Sequence, residues 1–89
     1  MRLLVIDVAF VIEAPPPQQL VDSLQRSLVG GIAIDHMFVV SPDDTTRSCC
    51  FFVPDDSVTA ADAAMITRRA LASEAAFGPW TVTRVREAR

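Results

Sequence analysis

Few side chains in this 89-residue sequence are suited to chemistry, and they fall in a few short stretches. His36 is the single histidine, and Cys49 and Cys50 are the two cysteines. Imidazole and thiolate together favour late first-row metals such as Ni2+, so these three residues are the candidate metal ligands. Two ligands from one pair of strands fall short of the three or four that a closed site needs. Asp7, Asp35 or a second chain would have to complete the site.

Asp7 is the candidate general acid or base. It lies within an otherwise apolar stretch, and burial raises the pKa of a carboxyl toward the range that acid-base catalysis uses. The alternative is an ion pair with Arg84 or Arg86, which we favour because charged groups within sheets are usually paired. The candidate metal ligands also have a purely structural interpretation, in which His36 is an ordinary strand histidine and the two cysteines are small core residues. We favour this interpretation over metal binding.

Composition and motifs exclude several classes of function. The formal net charge is −3 and all eight basic residues are arginine, so the sequence predicts neither a nucleic-acid nor a membrane partner. The absence of lysine excludes Schiff-base chemistry. Glycine-rich phosphate loops, C-x-x-C pairs, H-E-x-x-H motifs and calcium loops are all missing. The abundance of alanine, aspartate and arginine is typical of GC-rich bacterial genomes.

The hydrophobic periodicity predicts six elements in the order β-α-β-β-α-β. Strands are expected near residues 3 to 12, 32 to 40, 47 to 53 and 80 to 86, and helices near residues 17 to 29 and 58 to 77. Three prolines at 15 to 17 end the first strand and begin the first helix. Thr59 and Asp62 have the spacing of a capping box for the second helix, with Ser57 as the alternative cap.

This order predicts a single α+β domain with the ferredoxin-like βαββαβ sandwich, a four-stranded antiparallel sheet with two helices on one face. The opposite face stays largely apolar whichever alternate residues of the inner strands point toward the helices. A contiguous apolar sheet face is normally covered by a partner or a ligand. We therefore predict a homodimer formed through the helix-free face, with a small apolar ligand as a further occupant.

The hairpin between the second and third strands decides which candidate ligands share a face. With a turn centred near Asp44, His36 lies opposite Phe52 and diagonal to Cys50. A centre half a residue away replaces Cys50 by Cys49. Because neighbouring strand residues point to opposite faces, a disulfide between the two cysteines would be strained. We predict two free thiols, which are typical of a cytoplasmic protein.

The same hairpin carries a resemblance to a family. Residues 35 to 44 read DHMFVVSPDD and residues 49 to 56 read CCFFVPDD. Together with residues 78 to 85, they resemble small bacterial ferredoxin-like proteins described as nickel-binding or nickel-responsive. Those proteins have a histidine on the second strand and a cysteine five residues before a Pro-acidic pair, positions that match His36 and Cys49. The resemblance implies the ferredoxin-like fold and a nickel-binding function, although a histidine that the family has on its second helix is missing here.

Two other functions fit the same architecture. One is a dimeric α/β-barrel binder or enzyme, in which two ferredoxin-like sheets enclose a small apolar ligand, as in muconolactone isomerase-like and antibiotic-biosynthesis oxygenase-like enzymes. That likeness is architectural and rests on analogy. The other is a non-catalytic interaction module. Metal content and native mass are the measurements that separate these functions.

Overall fold

The computed structural model describes residues 2–28, 30, 32–54 and 56–88. It contains β1 (Arg2–Phe10), α1 (Pro17–Arg26), β2 (His36–Val40), β3 (Thr46–Val53), α2 (Ala60–Ala72) and β4 (Trp80–Ala88), with a single 3-10 turn (Ala75–Phe77) before β4. The strands form one antiparallel sheet in the order β2-β3-β1-β4. This order confirms the predicted ferredoxin-like α+β fold.

One hydrophobic core lies between the sheet and the two helices. Alternate residues of β1 point into it, and Leu4, Ile6 and Val8 are fully buried. Leu24 of α1 and Ile66 of α2 belong to the same cluster. Helix α1 packs against β2 and α2 packs against β1 and β4, and both contribute to this one core, so they cover the same face of the sheet, as predicted. We call the other side the open face.

The start of each helix follows the predicted local signals. Helix α1 begins at Pro17, which needs no hydrogen-bond partner for its nitrogen. Helix α2 begins after Thr59, whose hydroxyl accepts from the Asp62 amide at 3.2 Å, while the Asp62 carboxylate accepts from the Thr59 amide at 2.9 Å. The predicted capping box is thus confirmed, and Thr59 rather than Ser57 is the cap.

Both helices end earlier than predicted, and a serine follows the last residue of each as its C-terminal cap. The Ser27 hydroxyl donates to the Ser23 carbonyl at 2.9 Å, and the Ser73 hydroxyl donates to the Ala70 carbonyl at 2.7 Å. Serine side chains that bond to nearby backbone compete with continuation of a helix. After α2, the 3-10 turn returns Phe77 to the core. Val29, the last residue of the predicted first helix, lies outside the described residues.

Three strand boundaries differ from the prediction by two residues or more, and one of them is the end of β4, which reaches Ala88 rather than residue 86. Strand β1 ends at Phe10 rather than residue 12, because Val11 leaves the ladder and donates its amide to the Pro79 carbonyl at 3.1 Å. Strand β2 begins at His36 rather than residue 32, and the preceding residues pack against the core from a loop. An apolar side chain can reach a core from a loop, so hydrophobicity alone overestimated the length of β2. No helix among the described residues is long and apolar enough to cross a membrane.

Candidate functional site

The open face carries three rows of side chains that run across the sheet. From β4 through β1 and β3 to β2, the rows are Ala88, Leu3, Phe52 and His36, then Arg86, Val5, Cys50 and Phe38, then Arg84, Asp7, Ser48 and Val40. Directly paired side chains have their Cβ atoms about 4.5–5.5 Å apart, so each row is a line of neighbours. The face thus has arginines along β4 and aromatic rings toward β2.

A β-bulge places the arginines on this face. The register between β1 and β4 shifts by one residue between Asp7 and Val8, so that Val8 pairs with Val82 but Asp7 pairs with Arg84. Without that extra residue, Arg84 and Arg86 would lie on the same side as Val82, which packs against the core. Because of the bulge, Val82 points to the core, whereas Arg84 and Arg86 point to the open face.

Three aromatic rings form a cluster at the β2 side of the open face. The ring centroids of Phe38 and Phe52 are 5.7 Å apart, and those of His36 and Phe38 are 6.0 Å apart. The His36 and Phe52 centroids are 6.5 Å apart, with an angle of 22° between the rings. These are favourable separations for aromatic pairs. We refer to these three residues as the ring cluster.

The centre of the open face is apolar and nearly inaccessible to solvent although no helix lies above it. Val5 is 3% exposed and Cys50 is 4% exposed. They occupy the middle of one row, between the longer side chains of Arg86 and Phe38. Two small residues flanked by two long ones give the face a low centre and raised sides.

Asp7 lies beside this centre as a bound carboxylate. It accepts a hydrogen bond from the Ser48 hydroxyl at 2.6 Å and one from Arg86 Nε at 3.2 Å. Partial burial raises the pKa of Asp7, but the bonds from Ser48 and Arg86 and the charges of Arg86 and Arg84 outweigh it and lower the pKa. The predicted rise in pKa is therefore wrong, and the alternative, an ion pair with Arg86, is confirmed. A carboxylate held ionised in this way is poorly suited to carry a proton in catalysis.

The two cysteines are free and point to opposite faces of the sheet. Cys49 is part of the core, where burial, with the charges of Cys50 and Asp7, raises its pKa to about 12. Burial also raises the pKa of Cys50, which Arg86 partly offsets. Both side chains are therefore thiols rather than thiolates at neutral pH, which makes them weak nucleophiles.

The structure separates the three predicted metal ligands into two sets. His36 pairs with Phe52, as the turn centred near Asp44 predicts, so Cys50 is the cysteine that shares the open face with His36. Cys49 points into the core. Among the described residues, no group of three or more histidine, cysteine, aspartate or glutamate side chains is close enough to hold a metal ion. Asp55, which follows Pro54 in the stretch that carries the resemblance, lies outside the described residues.

Sequence reasoning missed two parts of this face. Ser48, the short hydrogen-bond partner of Asp7, has the same strand parity as Cys50, so the register of β1 with β3 would have revealed it. The sequence contains the residues of the ring cluster but did not predict that their three rings come together. It predicted only His36 opposite Phe52, for a turn centred near Asp44. Neither the protein-family models nor the curated proteins compared with this sequence contain a match.

Proposed function

We propose that the protein is a small-molecule binding protein of the dimeric α/β-barrel type, in which the open faces of two copies enclose a small, largely apolar ligand. The observation that supports this most strongly is the apolar row through Val5, Cys50 and Phe38 on a face without a helix. Val5 and Cys50 are already almost inaccessible, so the apolar surface that a second copy would cover lies around them, on Val40, which is 45% exposed, and on the partly exposed Phe38 and Phe52. Transfer of such surface from water contributes about 25 cal/mol per Å2.

The shape of the open face explains why a second copy would leave room for a ligand. Facing sheets pack about 10 Å apart, a distance that two layers of long side chains fill. In the middle row, Arg86 and Phe38 on the outer strands are long, whereas Val5 and Cys50 between them are short, and Ser48 beside Cys50 on β3 is short as well. Two such faces in contact would therefore meet at their sides and enclose a space at the centre. One chain of 89 residues is too small to build an enclosed cavity of this kind by itself.

Binding accounts for this face better than proton transfer does. Asp7, the candidate acid or base, is ionised and occupied by Ser48 and Arg86. The hydrogen bonds of Asp7 hold the charges of Asp7 and Arg86 in fixed positions beside the centre of the face. Fixed charges of this kind serve the recognition of a ligand. Two buried free thiols are typical of a reducing compartment, and we propose a cytoplasmic location for that reason.

The dimer is tested by a pair of matched valine substitutions. Val40 is 45% exposed on the open face at one edge of the sheet, and Val85 is 42% exposed on the other side at the opposite edge. We expect sedimentation equilibrium to show a dimer for the wild type and for Val85→Glu, and a monomer for Val40→Glu. A wild type that stays monomeric at high micromolar concentration contradicts the proposal, as does dissociation by both variants equally.

The ligand is tested with 2-naphthamide, a neutral bicyclic aromatic probe. Titration followed by NMR should shift the backbone amides of the open-face rows, with the largest changes around Val5, Cys50 and Phe38. Phe38→Ala should weaken binding, because the probe loses a stacking surface. Phe10→Ala changes an aromatic residue of the covered face and serves as the control. Shifts confined to the helices, or none, contradict an open-face site.

A second candidate function is binding of Ni2+ or another late first-row divalent metal. The supporting observation is the register that sets His36 diagonal to Cys50 on the open face. One chain offers only this pair, but two copies face to face would offer four ligands, the number that a closed site uses. Raised thiol pKa values oppose it, since a cysteine ligand must lose its proton.

Calorimetric titration with Ni2+ separates this candidate from the first. Binding that is lost in His36→Ala and in Cys50→Ala but kept in Cys49→Ala would support a metal site. Cys49→Ala is the matched control, because it removes the neighbouring thiol from the other face of the same strand. Equal affinity in all four proteins, or no binding in the wild type, rejects the metal.

A further inference from the structure

The open face carries an excess of positive charge on a chain with a net charge of −3. Its three rows contain one carboxylate, Asp7, and two guanidinium groups, Arg84 and Arg86. Arg86 is bound to Asp7 at 3.2 Å. The Arg84 guanidinium makes no hydrogen bond or ion pair with any residue that the structure describes, although its charge acts on the neighbouring Asp7. One cation of this face is thus free to bind an anion.

The free cation and the ring cluster lie on opposite sides of the same apolar centre. Arg84 is on β4, and Phe38 and Phe52 are on β2 and β3. Neighbouring strands are about 4.8 Å apart, so the outer strands of a four-stranded sheet are about 14 Å apart at their Cα atoms. Side chains on the two outer strands are therefore far enough apart for a ligand of one or two fused rings to lie between them. A ligand of that length with an anionic end could contact both sides.

We propose that the ligand of the open face is a planar aromatic carboxylate, with its ring on the ring cluster and its carboxylate bound by Arg84. This inference rests on the proposed small-molecule function. A guanidinium group matches a carboxylate with two parallel hydrogen bonds, and aromatic rings favour a planar partner. A second copy over the face would exclude water from Arg84 and strengthen the charge pairing.

Asp7 explains why Arg84 rather than Arg86 is the residue that binds the anion. Arg86 donates its Nε to Asp7, and Ser48 donates to the other oxygen of the same carboxylate. This arrangement occupies Arg86 and neutralises Asp7, which would otherwise repel a ligand carboxylate. The network therefore leaves a single charge available on the face, at Arg84.

The experiment compares two probes of the same shape and three proteins. The probes are 2-naphthoate, which is anionic, and the neutral 2-naphthamide, and the proteins are the wild type, Arg84→Gln and Arg68→Gln. Arg68 is an exposed residue of α2, so its substitution removes the same charge from the other side of the molecule. Binding constants are measured by NMR titration of the full chain at one fixed salt concentration.

We expect the wild type and Arg68→Gln to bind 2-naphthoate about tenfold more tightly than 2-naphthamide, as one charged hydrogen-bonded pair provides. Arg84→Gln should lose this preference and bind the two probes with similar affinities. Equal binding of both probes by the wild type overturns the carboxylate and leaves the proposed function standing. A preference that persists in Arg84→Gln, or is lost equally in Arg68→Gln, overturns the role of Arg84. If neither probe binds, the proposed function itself fails.

Discussion

The covered face and the open face use the same four strands for different purposes. On β3, Phe51 and Cys49 point to the covered face and are fully buried, whereas Phe52 and Cys50 point to the open face. Packing decides the residues of the first face, where the side chains that β1 contributes are apolar. The second face combines rings, small residues and a bound carboxylate, an arrangement that packing alone does not require. This difference is the reason why we propose the open face, rather than the covered one, as the binding surface.

The largest effect should come from comparing the two adjacent phenylalanines of β3. Phe51→Ala empties a fully buried position and should lower the free energy of unfolding by about 3–5 kcal/mol. Phe52→Ala removes a partly exposed ring and should cost about 1–2 kcal/mol in dilute protein. Urea unfolding of both variants measures the difference.

The same pair tests the dimer, because association stabilises the folded state by mass action. The loss in Phe52→Ala should grow as the protein concentration rises, and the loss in Phe51→Ala should change little. Equal losses at every concentration would show that the two faces do not differ as we argue.

A second comparison concerns one arginine from each face. Arg47 lies on the covered side, is buried, and donates to the carbonyls of Pro15, Asp43 and Thr46 at 2.9, 2.6 and 2.7 Å. Arg47→Met removes these donors and should cost about 2–3 kcal/mol of unfolding free energy. Arg84→Met on the open face should change the stability by less than about 0.5 kcal/mol. Thermal or urea unfolding decides; a large loss in Arg84→Met would mean that this residue is structural.

The bound carboxylate of the open face should make a smaller contribution that depends on pH. Because the pKa of Asp7 is lowered in the folded state, its stabilisation is present above the unfolded pKa of about 3.9 and is lost as the pH falls through the folded pKa. Asp7→Asn should cost less than about 1 kcal/mol at neutral pH and should reduce the acid dependence. The acid dependence of Ser48→Ala should lie between those of the wild type and Asp7→Asn. Urea midpoints of the three proteins from pH 2.5 to pH 7 measure it. A steeper acid dependence in Asp7→Asn would contradict the lowered pKa.

The smallest effect is a difference in the order of thiol modification. At neutral pH, native protein should react slowly with iodoacetamide at both cysteines, because burial keeps both as thiols. In low urea, Cys50 should react before Cys49, since the side chains of the open face can become accessible without unfolding of the core. Mass spectrometry of the labelled peptides after partial digestion reports the order. Simultaneous modification would mean that the two faces open together.

Local signals in the sequence were sufficient for most of the fold. The prolines before α1, the Thr59 and Asp62 capping box, and the alternation in the strands predicted the element order and hence the ferredoxin-like topology. These signals work because they depend on backbone conformations that a few neighbouring residues determine. The element ends were less accurate, since Ser27, Ser73 and the loop before β2 depend on hydrogen bonds and packing beyond the local pattern.

The candidate site needed the register between distant strands. The sequence predicted His36 opposite Phe52 only for a turn centred near Asp44, so it left open which cysteine shares a face with His36. It also left open whether Asp7 is paired. The pairing of β1 with β3 brought Ser48 to Asp7, across 41 positions of the chain. The bulge beside Asp7 moved Arg84 and Arg86 to the open face. A shift of one residue reverses the face of every side chain beyond it, and no local pattern specifies such a shift, so only the assembled sheet could decide where these charges lie.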